Sequence, residues 1–294
     1  MKNKYIINNR FLYYKDYELG NGGFGCVYIG KDLKYNKYVA IKCENINSNR
    51  KSVLTHEYYI MSNLKNANIF PIPIWYGEDL NYKFLVMKKY GKDLEFIKKY
   101  CNNKFSEKTI LMLGIEILNK LKILHFNNII HRDIKPENFL LDKSNNNIQL
   151  IDFGLSKYYI DKNTNEHILM KENNSRTGTL RYMSINSHEK KTLSRRDDLI
   201  SLSYMLIYFS KGSLPWQGIK SSKDQYQQVH DIKLKSFLNG ELLLNLSNPI
   251  ADLITYSNIL NFDDNPDYDR LIDSFKNYCN ENNILIDYKW DWLK

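Results

Sequence analysis

The segment IIHRDIKPENFLL (residues 129–141) places two cations, two carboxylates and an amide between two apolar runs. Apolar runs usually form core strands or helices, so a strongly polar and basic interruption needs an explanation. A solvated turn would account for the charge but not for this order of charges. The chain must therefore hold several charged side chains rigidly beside a buried apolar layer, where they act more strongly than in water.

Length and composition are those of an ordinary globular protein. The 294 residues suffice for one large domain or two modest ones, and 43% apolar with 26% charged residues argues against a fully disordered chain. The net charge of +9 favours anionic partners, such as nucleic acid, acidic proteins, phosphorylated peptides or anionic lipid. A general abundance of Lys and Asn explains the same charge equally well.

The four cysteines, Cys26, Cys43, Cys101 and Cys279, are far apart in the sequence and form no Cys-x-x-Cys pair. This spacing suggests neither a disulfide framework nor a zinc site, and it is typical of a reducing compartment.

The N-terminus lacks the apolar region of a signal peptide, and the longest apolar stretch (199–209) is shorter than the about 20 residues that span a bilayer. We therefore expect a cytoplasmic protein, with the nucleus left open, that is neither secreted nor membrane-bound.

Strand patterns dominate the first third of the chain. Residues 14–20, 26–32 and 37–43 are rich in Val, Ile and Tyr with period-two character, which predicts three successive strands. Residues 52–64 predict a helix, and residues 82–90 predict a further strand. We expect this part to be a sheet with one helix.

Helical patterns dominate from residue 90 onwards. Ser106 is a suitable N-cap for a long helix with apolar residues at 110, 113, 117, 121 and 124. The segments 197–210, 249–260 and 268–280 predict further helices. A β-rich first part followed by a helical remainder predicts an α+β protein with two lobes joined near residue 90.

Gly20, Gly22 and Gly25 form a Gly-x-Gly-x-x-Gly pattern in LGNGGFGCVYIG. Glycines let backbone N–H groups approach a phosphate closely, but this pattern alone is weak, and most chance matches are flexible turns. In dinucleotide-binding folds the pattern leads from a strand into a helix, whereas here Val27 and Tyr28 continue as a strand. The glycines are therefore predicted at a hairpin tip that covers nucleotide phosphates, and the lack of a Gly-x-x-x-x-Gly-Lys-Ser/Thr motif argues against a P-loop NTPase.

Lys42 ends the segment VAIK (39–42), seventeen residues after Gly25. A lysine at the end of a strand is usually a solvated edge residue, but this spacing suits a lysine that holds the α- and β-phosphates of a nucleotide. Such a lysine needs a carboxylate to orient it. Glu57 is the only acid in the predicted helix 52–64, and its alternative interpretation is a solvated helix position.

The charged cluster of the first segment fits phosphoryl transfer. Asp133 would orient the attacking hydroxyl and take up its proton, Lys135 would neutralise charge on the γ-phosphate, and Asn138 would bind a metal ion. Asp152 in LIDFGLS (150–156) follows an apolar strand nineteen residues beyond Asp133 and would supply the second metal ligand.

With these motifs the chain resembles the eukaryotic protein kinase family over residues 12–293, and within it the casein kinase 1 group. The usual Ala-Pro-Glu motif is missing. In its place, residues 178–218 contain Ser-Ile-Asn, Ser-Arg-Arg-Asp-Asp-Leu and Gly-Ser-Leu-Pro-Trp-Gln-Gly, which are typical of that group. NFDDNPDYDRLIDSF (261–275) and YKWDW (288–292) are similar to its final helices. The vaccinia-related branch is the nearest rival, but Ser-Ile-Asn and Gly-Ser-Leu-Pro-Trp favour casein kinase 1.

The resemblance implies a bilobal α+β fold that forms a single kinase domain over residues 12–294. It implies an N-lobe (12–87) of antiparallel sheet plus one helix, a hinge (88–92) and a larger, mostly helical C-lobe (93–294), with ATP and Mg²⁺ bound between the lobes. By the same resemblance, the positions that contact ATP are Leu19, Gly20, Gly22, Gly25, Val27, Ala40, Lys42, Met87, Lys88, Tyr90 and Asp93.

The resemblance also implies the type of substrate. Lys135 belongs to the serine/threonine kinase pattern, and the group favours acidic or already phosphorylated proteins. By position, Arg181 and Gly218 match the group's phosphate-reading site, while Arg132 and Lys157 match a second anion site. Guanidinium groups bind phosphate bidentately, which agrees with this assignment.

Two positions depart from the group's pattern. The segment after Gly218 is shorter and less basic, so that either Lys220 or Lys223 compensates or the selectivity for phosphorylated sites is weakened. Lys88 stands at the start of the hinge, where an acid is common, but adenine contacts there are mainly made by backbone. The group's long regulatory tail has no counterpart, so we expect no autoinhibition by a tail, and the resemblance implies activity without phosphorylation of the activation segment.

We therefore predict a serine/threonine protein kinase that uses ATP and Mg²⁺ and has no specific nucleic-acid or membrane partner; the oligomeric state is left open. The main alternative is a nucleotide-binding pseudokinase or scaffold, and it is disfavoured because Lys42, Asp133 and Asp152 are all present. A nucleic-acid-binding module is supported only by the net charge. A small-molecule kinase is disfavoured by the Ser-Ile-Asn and Ser-Arg-Arg-Asp-Asp-Leu blocks.

Overall fold

The computed structural model of the chain describes residues 4–22, 25–46, 52–64, 69–79, 81–173, 175–220 and 223–293. The chain forms two compact units. The first comprises Met1–Gly91 and Leu140–Leu155, and the second comprises Lys92–Phe139 and Ser156–Lys294. None of the helices in the described ranges has the length and apolar character needed to cross a bilayer. The boundaries 12–87, 88–92 and 93–294 remain a prediction.

A six-stranded antiparallel sheet of order β1-β2-β3-β4-β6-β5 forms the basis of the first unit. Its strands are β1 (Lys4–Ile7), β2 (Phe11–Gly22), β3 (Gly25–Asp32), β4 (Lys37–Asn45), β5 (Pro73–Asp79) and β6 (Tyr82–Lys88). A further pair, β8 (Phe139–Leu141) and β9 (Ile148–Leu150), belongs to this unit from Leu140 onwards. The four predicted strands are confirmed as β2, β3, β4 and β6, whereas β1 and β5 were not predicted.

Alternation along β4 separates the two faces of this sheet. Val39, Ile41 and Cys43 lie in a buried apolar cluster with other residues of the sheet. Because successive side chains of a strand point to opposite faces, Ala40 and Lys42 lie on the other side. The strand thus contributes apolar side chains to the core on one face and Lys42 on the other.

The predicted helix of the first unit is α1 (Val53–Leu64), which buries Leu54, Glu57, Ile60, Met61 and Leu64. The carboxylate of Glu44, at the end of β4, accepts hydrogen bonds from the backbone N–H groups of Val53 and Leu54 at 3.0 and 3.2 Å. An acidic side chain at this end satisfies N–H groups that have no partner within the helix.

The second unit is mostly helical. Its helices are α2 (Leu94–Tyr100), α3 (Glu107–Phe126), α4 (Ile185–His188), α5 (Arg195–Lys211), α6 (Gln225–Leu238), α7 (Asn248–Ile259) and α8 (Tyr268–Glu281). Two short strands, β7 (Ile129–Ile130) and β10 (Lys157–Tyr158), pair antiparallel within it. The α+β class is therefore confirmed, with a sheet and one helix followed by a largely helical part.

The long helix α3 begins as predicted, because the Ser106 hydroxyl accepts the backbone N–H of Thr109 at 3.2 Å. The carboxylate of Asp291 in turn accepts the backbone N–H and the hydroxyl of Ser106 at 2.6 and 2.8 Å. Asp291 belongs to the YKWDW segment, which ends in a 3-10 turn (Asp291–Leu293) rather than in a helix. Trp292 packs against Phe105, with ring centroids 5.7 Å apart.

Close packing of α3 on α8 depends on Gly114. A Cβ atom at this position would lie 2.3 Å from Cε1 of Phe275, which is fully buried. Gly114→Ala should therefore destabilise the chain by about 2 kcal/mol, since overpacking costs more than the about 1 kcal/mol that Ala gains in helix propensity. Urea unfolding would measure this change.

Phe275→Leu supplies the control for this prediction. The smaller side chain should make room for the added methyl, so the double variant should be more stable than the sum of the two single effects indicates. Strictly additive effects would show that the contact between these two residues does not cause the destabilisation.

Candidate active site

Lys42, Glu57 and Asp152 form an ion cluster in the first unit. The Nζ of Lys42 donates to Oε2 of Glu57 at 2.6 Å and to Oδ1 of Asp152 at 2.8 Å. Lys42 and Glu57 are 8% and 1% exposed. Although burial alone would lower it, the two carboxylates raise the pKa of Lys42, so the ammonium stays charged. β4, α1 and the turn after β9 thus bring three sequence-predicted residues together.

The Asp-Phe-Gly segment is locked in place by packing within the same unit. Asp152 has a φ of 65°, a left-handed conformation that Asp adopts more readily than most residues other than Gly and Asn. Phe153 is fully buried and packs edge-on against Phe70, with centroids 5.8 Å apart. A Cβ at Gly154 would lie 2.9 Å from Cγ1 of Val53 on α1. These contacts fix the direction of the Asp152 carboxylate.

The glycine motif lies at the end of the β2–β3 hairpin, where Gly20 pairs with Val27 and Gly22 pairs with Gly25. Gly25 has a φ of 127°, and a Cβ there would lie 2.1 Å from the carbonyl oxygen of Cys43. Only glycine fits this position. The residues of the predicted tip, 23–24, lie outside the described ones.

Five other predicted nucleotide contacts lie on or next to the sheet. Ala40 and Met87 are register partners on β4 and β6, and both are buried. Lys88 is exposed, and its Nζ lies 5.2 Å from the ring centroid of Tyr90. Leu19 on β2 is 47% exposed, which leaves its side chain accessible to a ligand.

Asp93 has a structural contact of its own in the second unit. Its carboxylate accepts the backbone N–H of Phe96 at 2.8 Å and thereby caps α2. An N-cap of this kind typically stabilises a helix by about 1 kcal/mol. If Asp93 contacts ATP as predicted, its carboxylate would have to bind the nucleotide and the N–H of Phe96 at the same time.

Asp133 is the centre of a second charged cluster, in the second unit. Its Oδ1 accepts the backbone N–H and the hydroxyl of Thr179 at 2.9 and 2.7 Å. Its Oδ2 accepts Nζ of Lys135 at 2.6 Å, and the Asn138 amide donates to the Asp133 carbonyl oxygen at 2.8 Å. The carboxylate is thus fixed from both sides. Thr179 was not predicted, because its two contacts lie 46 residues away in the sequence.

Asp198 holds the backbone that precedes this cluster. Its carboxylate accepts the N–H of His131 at 2.7 Å and that of Arg132 at 2.8 Å, while Arg132 has a φ of 69°. The Nε2 of His125 also contacts Asp198, at 2.9 Å, and its Nδ1 contacts the Tyr268 hydroxyl. Burial lowers the pKa of His125, which fits a neutral ring donating to Asp198. The sequence offered Asp198 only as part of a family block.

Asp197 connects the two blocks on which the resemblance rests. Its Oδ1 accepts the hydroxyl of Ser184 at 2.6 Å and the amide of Asn186 at 2.9 Å, and its Oδ2 accepts the backbone N–H of Ser194 at 2.8 Å. Ser-Ile-Asn and Ser-Arg-Arg-Asp-Asp-Leu are therefore two parts of one hydrogen-bonded unit.

Arg181 lines an open cavity of about 380 Å³, together with Gly218 and Gln225. Its guanidinium lies 5.7 and 5.6 Å from the ring centroids of Tyr182 and Tyr208. Within the described ranges it makes no ion pair with a carboxylate. The described lining of the cavity includes neither of the lysines at positions 220 and 223, which were the candidates for compensation.

Lys233 on α6 positions the segment that carries Arg181. Its Nζ donates to the carbonyl oxygens of Leu180 and Met183 at 2.9 and 2.7 Å, and Nε1 of Trp216 donates to that of Arg181 at 2.7 Å. Lys233 is fully buried, and burial lowers its pKa well below the usual value. No local pattern marks it, because its partners are 50 and 53 residues away.

Arg132 and Lys157, the predicted second anion site, belong to a group of neighbouring cations. Partial burial and repulsion from Arg132 and Lys171 lower the pKa of Lys157. Lys171 was not predicted. Three cations close enough to repel one another favour binding of an anion.

Asp198→Asn tests the support of the Asp133 loop. An amide cannot accept both backbone N–H groups with charged oxygens, so we expect a loss of about 3 kcal/mol in the free energy of unfolding at pH 7. Although burial would raise it, hydrogen bonds with His125 and His131 lower the pKa of Asp198. The carboxylate's contribution is therefore complete above its ordinary pKa and declines as the pH falls through the lowered value.

Urea unfolding of both proteins between pH 7 and pH 4.5 would check this. The stability difference should stay constant over that range, and Glu281→Gln, at an exposed acid on α8, should have little effect. A difference that shrinks between pH 7 and pH 5 would contradict a lowered pKa.

The comparison with protein families agrees with this geometry. The model of the protein kinase domain matches residues 13–268 of the 294. This match covers both charged clusters and confirms the predicted bilobal kinase fold. The chain belongs to the protein kinase family, whose members are phosphotransferases that use ATP and Mg²⁺ and act on proteins.

Proposed function

We propose that this kinase is a serine/threonine kinase of the casein kinase 1 type that phosphorylates acidic or already phosphorylated proteins. The observation that carries the proposal is the Asp133 carboxylate, held between Thr179 and Lys135. A carboxylate in a fixed direction can accept the hydrogen bond of a serine or threonine hydroxyl and take up its proton during transfer.

The residues of the chain fit a magnesium nucleotide. Lys42 is a charged donor oriented by Glu57, as a lysine that binds phosphates requires. Asp152 offers a carboxylate, and Asn138 donates through its amide nitrogen, so its oxygen is the atom that could ligate a cation. Carboxylate and amide oxygens are ligands that Mg²⁺ prefers. When bound, Mg²⁺ would neutralise phosphate charge during transfer.

Lys135 contacts both the catalytic carboxylate and Thr179 of the activation segment. Its Nζ binds Oδ2 of Asp133 and the hydroxyl of Thr179, the latter at 3.0 Å. This position suits a cation that offsets negative charge on the phosphate being transferred. The same lysine belongs to the serine/threonine pattern, which supports this specificity.

The casein kinase 1 assignment is supported by the contacts of Asp197 with Ser184 and Asn186. The group's two characteristic blocks depend on each other through these bonds. Loss of Ser184 and Asn186 would leave the buried Asp197 carboxylate without two of its partners, which is costly.

Activity without phosphorylation of the activation segment is supported by hydrogen bonds that this segment makes without a phosphate. The backbone N–H of Thr192 donates to the carbonyl of Lys171 at 2.8 Å, and the N–H of Thr177 donates to the hydroxyl of Ser187 at 3.0 Å. Arg176 donates to the carbonyl of His188 at 3.0 Å. We infer that these contacts order the segment without help from a phosphate.

The substrate preference is supported by the charges that the second unit leaves available. Arg181 makes no ion pair with a carboxylate among the described residues, although it shares its cavity with Glu137, and Lys157 is repelled by Arg132 and Lys171. The neutral Gln225 in the same cavity limits the strength of anion binding there.

The pseudokinase alternative gains no support, because Lys42 and Asp133 both have the partners that catalysis needs.

Asp133→Asn should abolish phosphate transfer to casein while ATP binding persists. The amide keeps a hydrogen-bond acceptor for Thr179 but cannot take up a proton, and such losses typically cost about 10²–10³ in rate or more. Transfer of labelled phosphate and nucleotide affinity would be measured on the same preparations. Glu281→Gln, an exposed acid on α8, is the control. Equal transfer by the variant and the wild type would exclude Asp133 as the base.

Arg181→Ala should lower kcat/KM for an acidic or phosphorylated peptide by about 10–100-fold, the value of a charge-assisted hydrogen bond. The rate on a neutral peptide should change little. Arg270→Ala, which removes an exposed arginine paired with Asp252, should affect neither peptide. An equal loss on both peptides would refute the assignment of Arg181 to substrate phosphate.

A further inference from the structure

Two cysteines that are remote in the sequence lie directly opposite each other in the sheet. Cys26 on β3 is the register partner of Cys43 on β4. Opposite residues of an antiparallel pair share a face and have Cα atoms about 4.5–5.5 Å apart, which lies within the about 4.4–6.8 Å that a disulfide spans. All four cysteines of the chain are reduced in this structure.

The two thiols differ in their surroundings. Cys43 is 8% exposed within the apolar cluster of the sheet, and burial raises its pKa to about 12. Cys26 is half-buried at the border of that cluster, and its side chain hydrogen-bonds that of Tyr28. An oxidant from solvent therefore reaches Cys26 before Cys43, and the Cys43 thiol lies beside that of Cys26.

We propose that Cys26 and Cys43 form a reversible disulfide when the protein meets hydrogen peroxide. Cys26 loses its proton, and its sulfur attacks one peroxide oxygen. The O–O bond breaks, hydroxide leaves with that proton as water, and Cys26 becomes a sulfenic acid. The sulfur of Cys43 then attacks that of Cys26, the S–O bond breaks, and hydroxide leaves with the Cys43 proton as a second water. Two thiols are oxidised to one disulfide, and the peroxide is reduced.

The bond alters the strand that carries Lys42. Opposite Cβ atoms in a regular sheet are about 4.5–5.5 Å apart, whereas a disulfide holds them at about 3.5–4.5 Å, so the strands must move together. Lys42 is the next residue along β4, and its register partner is Val27. The disulfide lies on the opposite face from Lys42 and contacts no ligand there, but it shifts the backbone that directs Lys42 towards Glu57. This consequence rests on the proposed function.

Peptide mapping tests the bond itself. The full chain would be treated with hydrogen peroxide, alkylated and digested with trypsin without reduction. The expected product joins residues 16–31 to residues 43–50, with the loss of two hydrogens, and it disappears after treatment with dithiothreitol. It should be absent from Cys26→Ser and present in the double variant Cys101→Ser/Cys279→Ser. Recovery of both peptides alkylated, or linkage only between two chains, would overturn the proposal.

Kinetics test the consequence. Oxidised wild-type protein should show a severalfold fall in kcat/KM for ATP that dithiothreitol restores, whereas Cys26→Ser should be indifferent to peroxide. An unchanged kcat/KM in fully linked protein would overturn the effect on Lys42. The mapping needs no phosphate transfer, so a failure of the kinase assignment and a failure of the disulfide give different results.

Discussion

A buried carboxylate, Asp198, fixes the backbone from which the catalytic loop extends. It binds two consecutive N–H groups, those of His131 and Arg132, and it holds Arg132 in a left-handed conformation that the residue would not favour alone. Asp133 is the next residue, so this fixed backbone limits the directions in which its side chain can point. The contacts of Asp133 with Thr179 and Lys135 then add a second constraint. The position of the catalytic carboxylate in the second unit therefore depends on both sets of contacts.

Buried charge is handled differently in the two units. In the first unit the Lys42 ammonium donates to two carboxylates, and these contacts fix its position. In the second unit Lys233 donates to carbonyl oxygens and lies beside aromatic rings, and burial lowers its pKa. The first arrangement fixes the direction of a charged donor, whereas the second holds the backbone of the segment that carries Arg181. Both follow from the cost of burying an ion without compensation.

The fold was predictable where the pattern is long and local. The period-two strands β2–β4 and the amphipathic helix α3 with its Ser106 cap follow directly from the sequence. β1 has only four residues and depends on pairing with β2, and the prolines at 71 and 73 obscure β5. Residues of the active site were predictable when they belong to a motif. Thr179 and Lys233 were not, because tertiary contacts alone define them.

The contact between Asp291 and Ser106 ties the start of the central helix of the second unit to a residue 185 positions later in the chain. Synthesis proceeds from the N-terminus, so α3 leaves the ribosome long before the side chain that completes its first turn. Until then the backbone N–H and the hydroxyl of the N-cap residue Ser106 lack this acceptor and depend on water. The second unit therefore gains this part of its order late in translation, and a nascent chain interrupted before Asp291 exposes an incompletely closed core.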